Sequence, residues 1–233
     1  MKFLGMEKMS LVDYDGFVAT TVFTGGCNFK CPFCHNALLV SGYESLPTID
    51  QKEIFDYLEK RKGIIDGVCI TGGEPTLYSD LPLFMEKVKN LGYKVKLDTN
   101  GTNPDLVKLV NENGLCDYFA MDIKNDKKNY AKIIGFDTFD TKKIEKTVEY
   151  FLTSNADYEF RTTLIKQFHS MDNIHGIAEW IKGAKKYFLQ KFKAGDNCLN
   201  ADGLEPVDNH TTKEYLELLK KYIPFVATRG YDF

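Results

Sequence analysis

The sequence predicts an α/β fold built on a parallel sheet, and three observations predict it. Strand-like and helix-like segments alternate along the chain. The β/α units number six, short of the eight that close a barrel. Polar motifs fall one after another at the C-terminal ends of the strands, where ligands bind in parallel β/α architectures. The 233 residues are 43% hydrophobic and 27% charged. That suits a single domain over residues 1–233 with a full core, and no linker or composition break divides it.

Each element has its own signal in the sequence. Residues 17–23 (FVATTVF) read as a first strand that runs into a cysteine-rich loop. A helix is expected over 49–61, where Thr48 and Gln51 make a capping-box pattern and Ile54, Phe55 and Leu58 an apolar stripe. Residues 68–70 form the second strand, which ends at Gly72-Gly73-Glu74-Pro75. The next helix begins near Asp80 or Pro82, carries Phe84, Val88 and Leu91, and stops at Gly92. The third strand, 94–97, ends at Asp98-Thr99-Asn100-Gly101. Asn103-Pro104 then starts a helix that Gly114 ends. The fourth strand, 118–121, ends at Asp122-Ile123-Lys124.

A helix near 141–153 leads to the fifth strand, 158–164. Ser170 caps a helix containing Ile174, Ile177 and Ile181. Residues 186–192 give the sixth strand, 212–222 the last helix, and 225–228 a short terminal strand. The segment 193–209 is the one long irregular stretch, expected to lie over an edge or mouth.

Composition excludes several classes of function. A net charge of −3 gives no basic field for nucleic acid. The local cluster Lys127, Lys128 and Lys132 reads as a solvated loop and helix edge, with Lys124 set apart by its place at a strand end. No run of about 18 apolar residues predicts a membrane span. The N-terminus is too soon charged for a signal peptide, and six cysteines without one imply the reducing cytoplasm. Cys69 and Cys116 read as small core residues; Cys198, in a polar loop, has no assigned role.

The most informative feature is Cys27, Cys31 and Cys34, spaced C-x3-C-x2-C. Three thiolates that close can hold three corners of a cubane iron–sulfur cluster and leave one iron open for chemistry. The alternative is a zinc knuckle completed by His35, although adjacent Cys34 and His35 strain to reach one ion. The other motifs have ordinary readings when taken singly. Gly72-Gly73 is a turn, Asp98-Thr99-Asn100 a helix cap, and Asp122 with Lys124 a surface pair. Arg161, charged inside a strand, needs a partner or a ligand.

Taken together with Phe33 before the last cysteine, these motifs resemble those of the radical S-adenosylmethionine (SAM) superfamily. The resemblance implies an open, partial (β/α)6 TIM-type barrel, a [4Fe-4S] cluster on Cys27, Cys31 and Cys34, and SAM on the open iron. It places Phe33 against the adenine and Gly72, Gly73 and Glu74 at the methionine amino group. It also offers Lys124 or Arg161 for the SAM carboxylate and Asp98 for the ribose or cationic side. His35, Asn36 and Asn100 join the cofactor-binding set, and Asp98 and Asp122 could share a monovalent cation.

Within the superfamily, His35-Asn36 after the last cysteine, Asp98-Thr99-Asn100-Gly101 and Asp122-Ile123-Lys124 resemble the glycyl-radical-enzyme activases. The likeness, over about residues 17–192, is greatest to the anaerobic ribonucleoside-triphosphate reductase activating proteins in their longer form. It implies a glycyl radical enzyme as partner and a flavodoxin- or ferredoxin-type reductant. One departure is the absence of the histidine that pyruvate formate-lyase activases carry near the end of the sixth strand. That leaves Gln190 or Phe192 as mouth residues. His169, just after the fifth strand, either faces the site or, the favoured reading, serves as a cap or surface residue, and Arg229-Gly230-Tyr231 is expected as a terminal strand and tail. The 7-carboxy-7-deazaguanine synthases are the nearest alternative. They share Gly-Gly-Glu-Pro and the turn Asn100-Gly101-Thr102, but usually place Asp-Thr after the last cysteine.

Overall fold

The computed structural model describes residues 1–195 and 197–233. Position 196, within the predicted irregular segment, lies outside them. Among the described residues, eight strands follow in chain order: β1 (Phe3–Ser10), β2 (Ala19–Thr24), β3 (Gly67–Gly72), β4 (Lys94–Thr99), β5 (Tyr118–Asp122), β6 (Tyr158–Leu164), β7 (Tyr187–Lys191) and β8 (Val226–Arg229). The helices are α1 (Ala37–Val40), α2 (Gln51–Lys60), α3 (Leu81–Asn90), α4 (Pro104–Glu112), α5 (Tyr130–Ile133), α6 (Lys142–Thr153), α7 (Met171–Trp180) and α8 (Asn209–Leu219). From β2 to α8 this is the predicted α/β succession of six β/α units, the partial-barrel class. β1 precedes it and β8 follows. By chain contacts it divides into two compact units, residues 1–28 with 38–120 and residues 29–37 with 121–233.

In the first unit β1 runs antiparallel to β2, a strand the sequence reading did not foresee. β2, β3 and β4 are parallel. Their in-register rows place Thr21, Cys69 and Lys96 on one face, and Asp98, two residues on, shares it. The opposite face is dry: Val68, Ile70, Val95 and Leu97 are fully buried with Ile54, Leu58, Met85 and Val88 of the helices. Phe84 packs on Phe3 and Phe55, with ring centroids 4.7 and 5.4 Å apart. α2 is capped by Asp50, which accepts from the Lys52 N–H at 2.8 Å, rather than through Thr48. Asn103 caps α4 as predicted.

In the second unit β6, β7 and β8 are parallel, with Arg161, Phe188 and Ala227 in one row and Thr163, Gln190 and Arg229 in the next. Phe160, Thr162, Leu164, Tyr187 and Leu189 point the other way and are buried with Phe151, Ile174 and Ile177. Glu159, only 1% exposed, receives a two-pronged bond from Arg229 at 2.6 and 2.9 Å. The Arg229 guanidinium also lies 3.7 Å from the Phe188 ring centroid. β8 is thereby stapled to β6, so the Arg229-Gly230-Tyr231 stretch is a strand end, as expected. Ser170 and Asn173 form a reciprocal capping box at α7. Among the described residues, no helix is long and apolar enough to cross a membrane.

Candidate active site

The cysteine loop begins where β2 ends. Cys31 is buried, Cys27 and Cys34 are half-buried, and none of the three is in a disulfide. Burial pushes the Cys31 thiol up to about 11 and raises that of Cys34 as well, with the Lys124 ammonium acting the other way on both. The Asn36 backbone N–H donates to the Cys34 sulfur. Thiols this buried ionise readily only when a cation takes the charge, and N–H donation to sulfur is a usual feature of iron–sulfur sites. The donor set therefore fits a cluster held by three thiolates.

A zinc knuckle through His35 is not what the loop forms. The His35 Nε2–H donates to the Lys193 carbonyl at 2.6 Å and its ring faces Phe192. His35 thus ties the cysteine loop to the chain at Lys193. Among the described residues, no three His, Cys, Asp or Glu side chains converge on a point that could hold one metal ion. A four-iron cluster asks for something different, since it takes each thiolate on a separate iron.

In the first unit, the motifs after β3 and β4 are knotted together through Glu74. Its side chain is 1% exposed. Oε1 accepts from the Thr76 N–H at 3.1 Å, the Thr76 hydroxyl at 2.5 Å and the Thr99 hydroxyl at 2.8 Å; Oε2 accepts from the Asn100 N–H at 2.6 Å. Burial lifts the carboxyl above its ordinary range, and those four donors pull it back only in part. With its lone pairs so engaged, the carboxylate is a loop brace. Asn100 is likewise structural. Its Nδ2–H donates to Asn28 Oδ1 at 2.8 Å, and its Oδ1 accepts from the Thr102 N–H and hydroxyl. Asn28, beside Cys27, donates in turn to the Thr102 hydroxyl at 2.9 Å.

The glycine pair has a packing reason as well. A Cβ on Gly73 would strike the Gly26 carbonyl. Gly72, at φ +119°, would meet the Thr24 backbone. The close approach they permit is to the base of the cysteine loop. Asp98 is paired with Lys96 at 2.5 Å and accepts from the Thr71 hydroxyl at 3.3 Å, with the Cys69 sulfur near both.

In the second unit, Asp122, Lys124 and Arg161 form one cluster. The Lys124 Nζ donates to Asp122 Oδ2 at 2.8 Å and the Arg161 Nε–H to Oδ1 at 3.0 Å. Burial raises the Asp122 carboxyl, but the Arg161 and Lys124 charges more than offset this and hold it at about 2. Burial acts against the Lys124 ammonium too, yet Asp122 and then Cys31 keep it above the ordinary lysine range. Lys124 lies over the buried Phe33 ring, 5.8 Å from its centroid. The structure thus gathers Cys31, Phe33, Asp122, Lys124 and Arg161. Two cations flank the one Asp122 carboxylate. The two carboxylates expected to share a monovalent cation each have a cationic partner, Asp98 in Lys96 and Asp122 in Lys124 and Arg161.

Two features of this unit give the sequence expectations specific partners. Residues 193–195 and 197–200 bond to the cysteine loop as a strap. The Leu199 N–H donates to the Cys34 carbonyl at 3.1 Å, the Asn200 N–H to the Pro32 carbonyl at 2.8 Å and the Ala37 N–H to the Asn197 carbonyl at 3.3 Å. Cys198, on this strap, is near enough to Cys34 for their charges to interact. Buried His169 is the second, and the cap of α7 is Ser170 instead.

Comparison with known proteins agrees with this geometry. The model of the radical SAM superfamily matches residues 21–181. Two Methanocaldococcus jannaschii proteins carrying the provisional name glycyl-radical enzyme activating enzyme are similar to the chain. One is 31% identical over 97% of this chain and 94% of its own length, the other 29% over 89% and 79%. A 7-carboxy-7-deazaguanine synthase of Koribacter versatilis is 27% identical over 69% of this chain and 67% of its own. Two solved structures share the fold. A domain of a pyruvate-formate lyase-activating enzyme from Bacteroides vulgatus has TM-score 0.58 and 19% identity over 71% of this chain and 99% of its own. Streptococcus suis SuiB has TM-score 0.69 and 15% identity over 91% and 49%. The chain belongs to the radical SAM superfamily and is an enzyme of that kind, with a [4Fe-4S] cluster and SAM as cofactors.

Proposed function

We propose that the chain is an activase that installs a glycyl radical on a partner enzyme, anaerobic ribonucleoside-triphosphate reductase, with a flavodoxin- or ferredoxin-type protein as reductant. The observation that supports the activase class is the likeness to a protein provisionally named a glycyl-radical enzyme activating enzyme, over 97% of this chain and 94% of the other; the choice of reductase rests on the motif resemblance at Asp98-Thr99-Asn100-Gly101 and Asp122-Ile123-Lys124.

In this reading Cys27, Cys31 and Cys34 hold the cluster. When bound, the cluster and SAM supply a one-electron cleavage that yields a 5′-deoxyadenosyl radical. The protein's part is to bind, orient and exclude water. The Asn36 N–H at the Cys34 sulfur offsets thiolate charge, and the strap shields that sulfur's side of the loop. The two cations that flank Asp122, Lys124 and Arg161, suit the SAM carboxylate, with the Phe33 ring beside Lys124. Because the Glu74 carboxylate is engaged in its own loop, the backbone of Gly72, Gly73 and Glu74 is left to meet the methionine amino group.

The test is an electron paramagnetic resonance spectrum of the anaerobically reconstituted protein, reduced and mixed with SAM and the reductase of the same organism. A glycyl doublet that depends on SAM and on Cys31 supports the reading; its absence, with 5′-deoxyadenosine still forming, refutes the partner. The likeness to a 7-carboxy-7-deazaguanine synthase favours a second reading, turnover of 6-carboxy-tetrahydropterin. Rapid product formation from that pterin would replace the activase reading.

A further inference from the structure

His169 occupies a site the mechanism above does not use. Its ring is 2% exposed. The Nε2 atom lies 3.0 Å from the Lys124 carbonyl oxygen, which can only accept, so Nε2 carries the proton. Nδ1 lies 3.0 Å from the Ile165 N–H and 3.2 Å from the Ile165 carbonyl. That carbonyl already accepts from the Phe168 and His169 N–H groups, at 3.0 and 2.9 Å. Nδ1 is therefore the acceptor of the Ile165 N–H, and the neutral Nε2–H tautomer is fixed by its two backbone partners. The His169 carbonyl is itself held by the Tyr215 hydroxyl at 2.7 Å.

The surrounding bonds show what this contact serves. The Thr162 hydroxyl donates to the Ile123 carbonyl at 2.5 Å, and the Ile123 N–H to the Arg161 carbonyl at 2.8 Å. Tyr130 accepts from the Lys124 N–H at 3.3 Å. The strand-end turn Asp122-Ile123-Lys124 is fastened at each peptide, and His169 supplies the fastening at the Lys124 carbonyl. A lysine side chain has four rotatable bonds through which a shifted backbone would move the ammonium.

We propose that His169 is a positioning residue for SAM binding, setting through the Lys124 backbone where the Lys124 ammonium meets the SAM carboxylate. The inference rests on the role given to Lys124 above. Its reach is specific: the imidazole links the β6–α7 connection to the β5 end, so the position of Lys124 is tied to α7 and α8.

The experiment compares His169→Gln with His169→Asn in the cluster-loaded protein. The glutamine amide reaches where Nε2 stood and restores a donor to the Lys124 carbonyl; the asparagine amide reaches only where Nδ1 stood and serves Ile165. SAM affinity is read by equilibrium dialysis, and thermal midpoints are recorded in parallel. Loss of one hydrogen bond corresponds to roughly three- to tenfold in affinity. The Asn variant is therefore expected to bind SAM about that much more weakly than wild type. The Gln variant is expected within about twofold of wild type, at thermal midpoints close to each other.

A second measurement needs no cofactor. Reductive methylation followed by peptide mass spectrometry should label Lys124 faster in the Asn variant than in the Gln variant. Equal SAM affinities in the two variants, or equal Lys124 labelling, would overturn the inference. Lys124→Ala separates the premises: if it binds SAM normally, the role given to Lys124 fails; if it binds weakly while both His169 variants bind normally, only the His169 inference fails.

Discussion

Replacing Glu74 by alanine separates a loop brace from a ligand-binding carboxylate. The carboxylate accepts four hydrogen bonds in a buried setting, and two of the donors are backbone N–H groups, of Thr76 and Asn100, that cannot turn elsewhere. The two threonine hydroxyls can rotate to other acceptors and add little. Each stranded N–H costs about 1–3 kcal/mol, so the substitution should cost roughly 4 kcal/mol, a large share of the 5–15 kcal/mol that typically holds a protein folded. For a chain of this length that corresponds to a fall of about 10 °C in the thermal midpoint. Glu74→Gln keeps one oxygen but turns an amide donor toward the Asn100 N–H, and should cost about half as much. The assay is thermal unfolding followed by circular dichroism under anaerobic conditions, with SAM binding measured well below the transition. A Glu74→Ala protein that melts with wild type but no longer binds SAM would refute the reasoning and place the carboxylate at the ligand.

The other predictions concern the loop and its charges. Cys31→Ala should leave the reconstituted protein with iron and acid-labile sulfide near zero while circular dichroism stays native. Gly73→Ala should destabilise the fold, because the added Cβ meets the Gly26 carbonyl, a backbone atom that cannot swing away; overpacking of this kind costs about 1–3 kcal/mol, read as a lower urea midpoint. Asp122 is held at about 2 against about 3.9 in an unfolded chain. Its folded value is depressed, so its stabilisation is present in full above about pH 4 and disappears as pH falls toward 2. The amount is on the order of 2 kcal/mol. Asp122→Asn should therefore unfold more easily at neutral pH by about that amount, and the gap to wild type should close between about pH 4 and 2.

Much of this chain is legible without coordinates, for identifiable reasons. The strands 158–164 and 118–121 were visible because a parallel strand buried on its helix side carries a local apolar signature. Caps such as Ser170 and Asn103 act over three residues and are read from three residues. β1 was missed because an edge strand paired on one side needs little hydrophobic pattern; its burial comes from Phe3 against Phe84, which are distant in sequence. Lys96 could have been found, since a lysine two residues before Asp98 in a strand must share its face. The partners of His169 could not, because they are the backbone at 124 and 165, and backbone groups have no sequence signature.

The sequence by itself determined the chemistry: the three-cysteine spacing, the order of the β/α units, and which residue types stand at each strand end. These are local properties, set by spacing along a few residues or by strand and helix periodicity. Only the tertiary structure decided which of those residues are free to act. It spent Glu74 and Asn100 on knotting loops, turned His35 to the Lys193 carbonyl, paired Asp98 with Lys96, and flanked Asp122 with Lys124 and Arg161. The reason is physical: a polar side chain carried inward by a strand end must satisfy its hydrogen bonds there. Which partner satisfies them depends on what the rest of the chain brings within about 3 Å, and no local stretch of sequence contains that information.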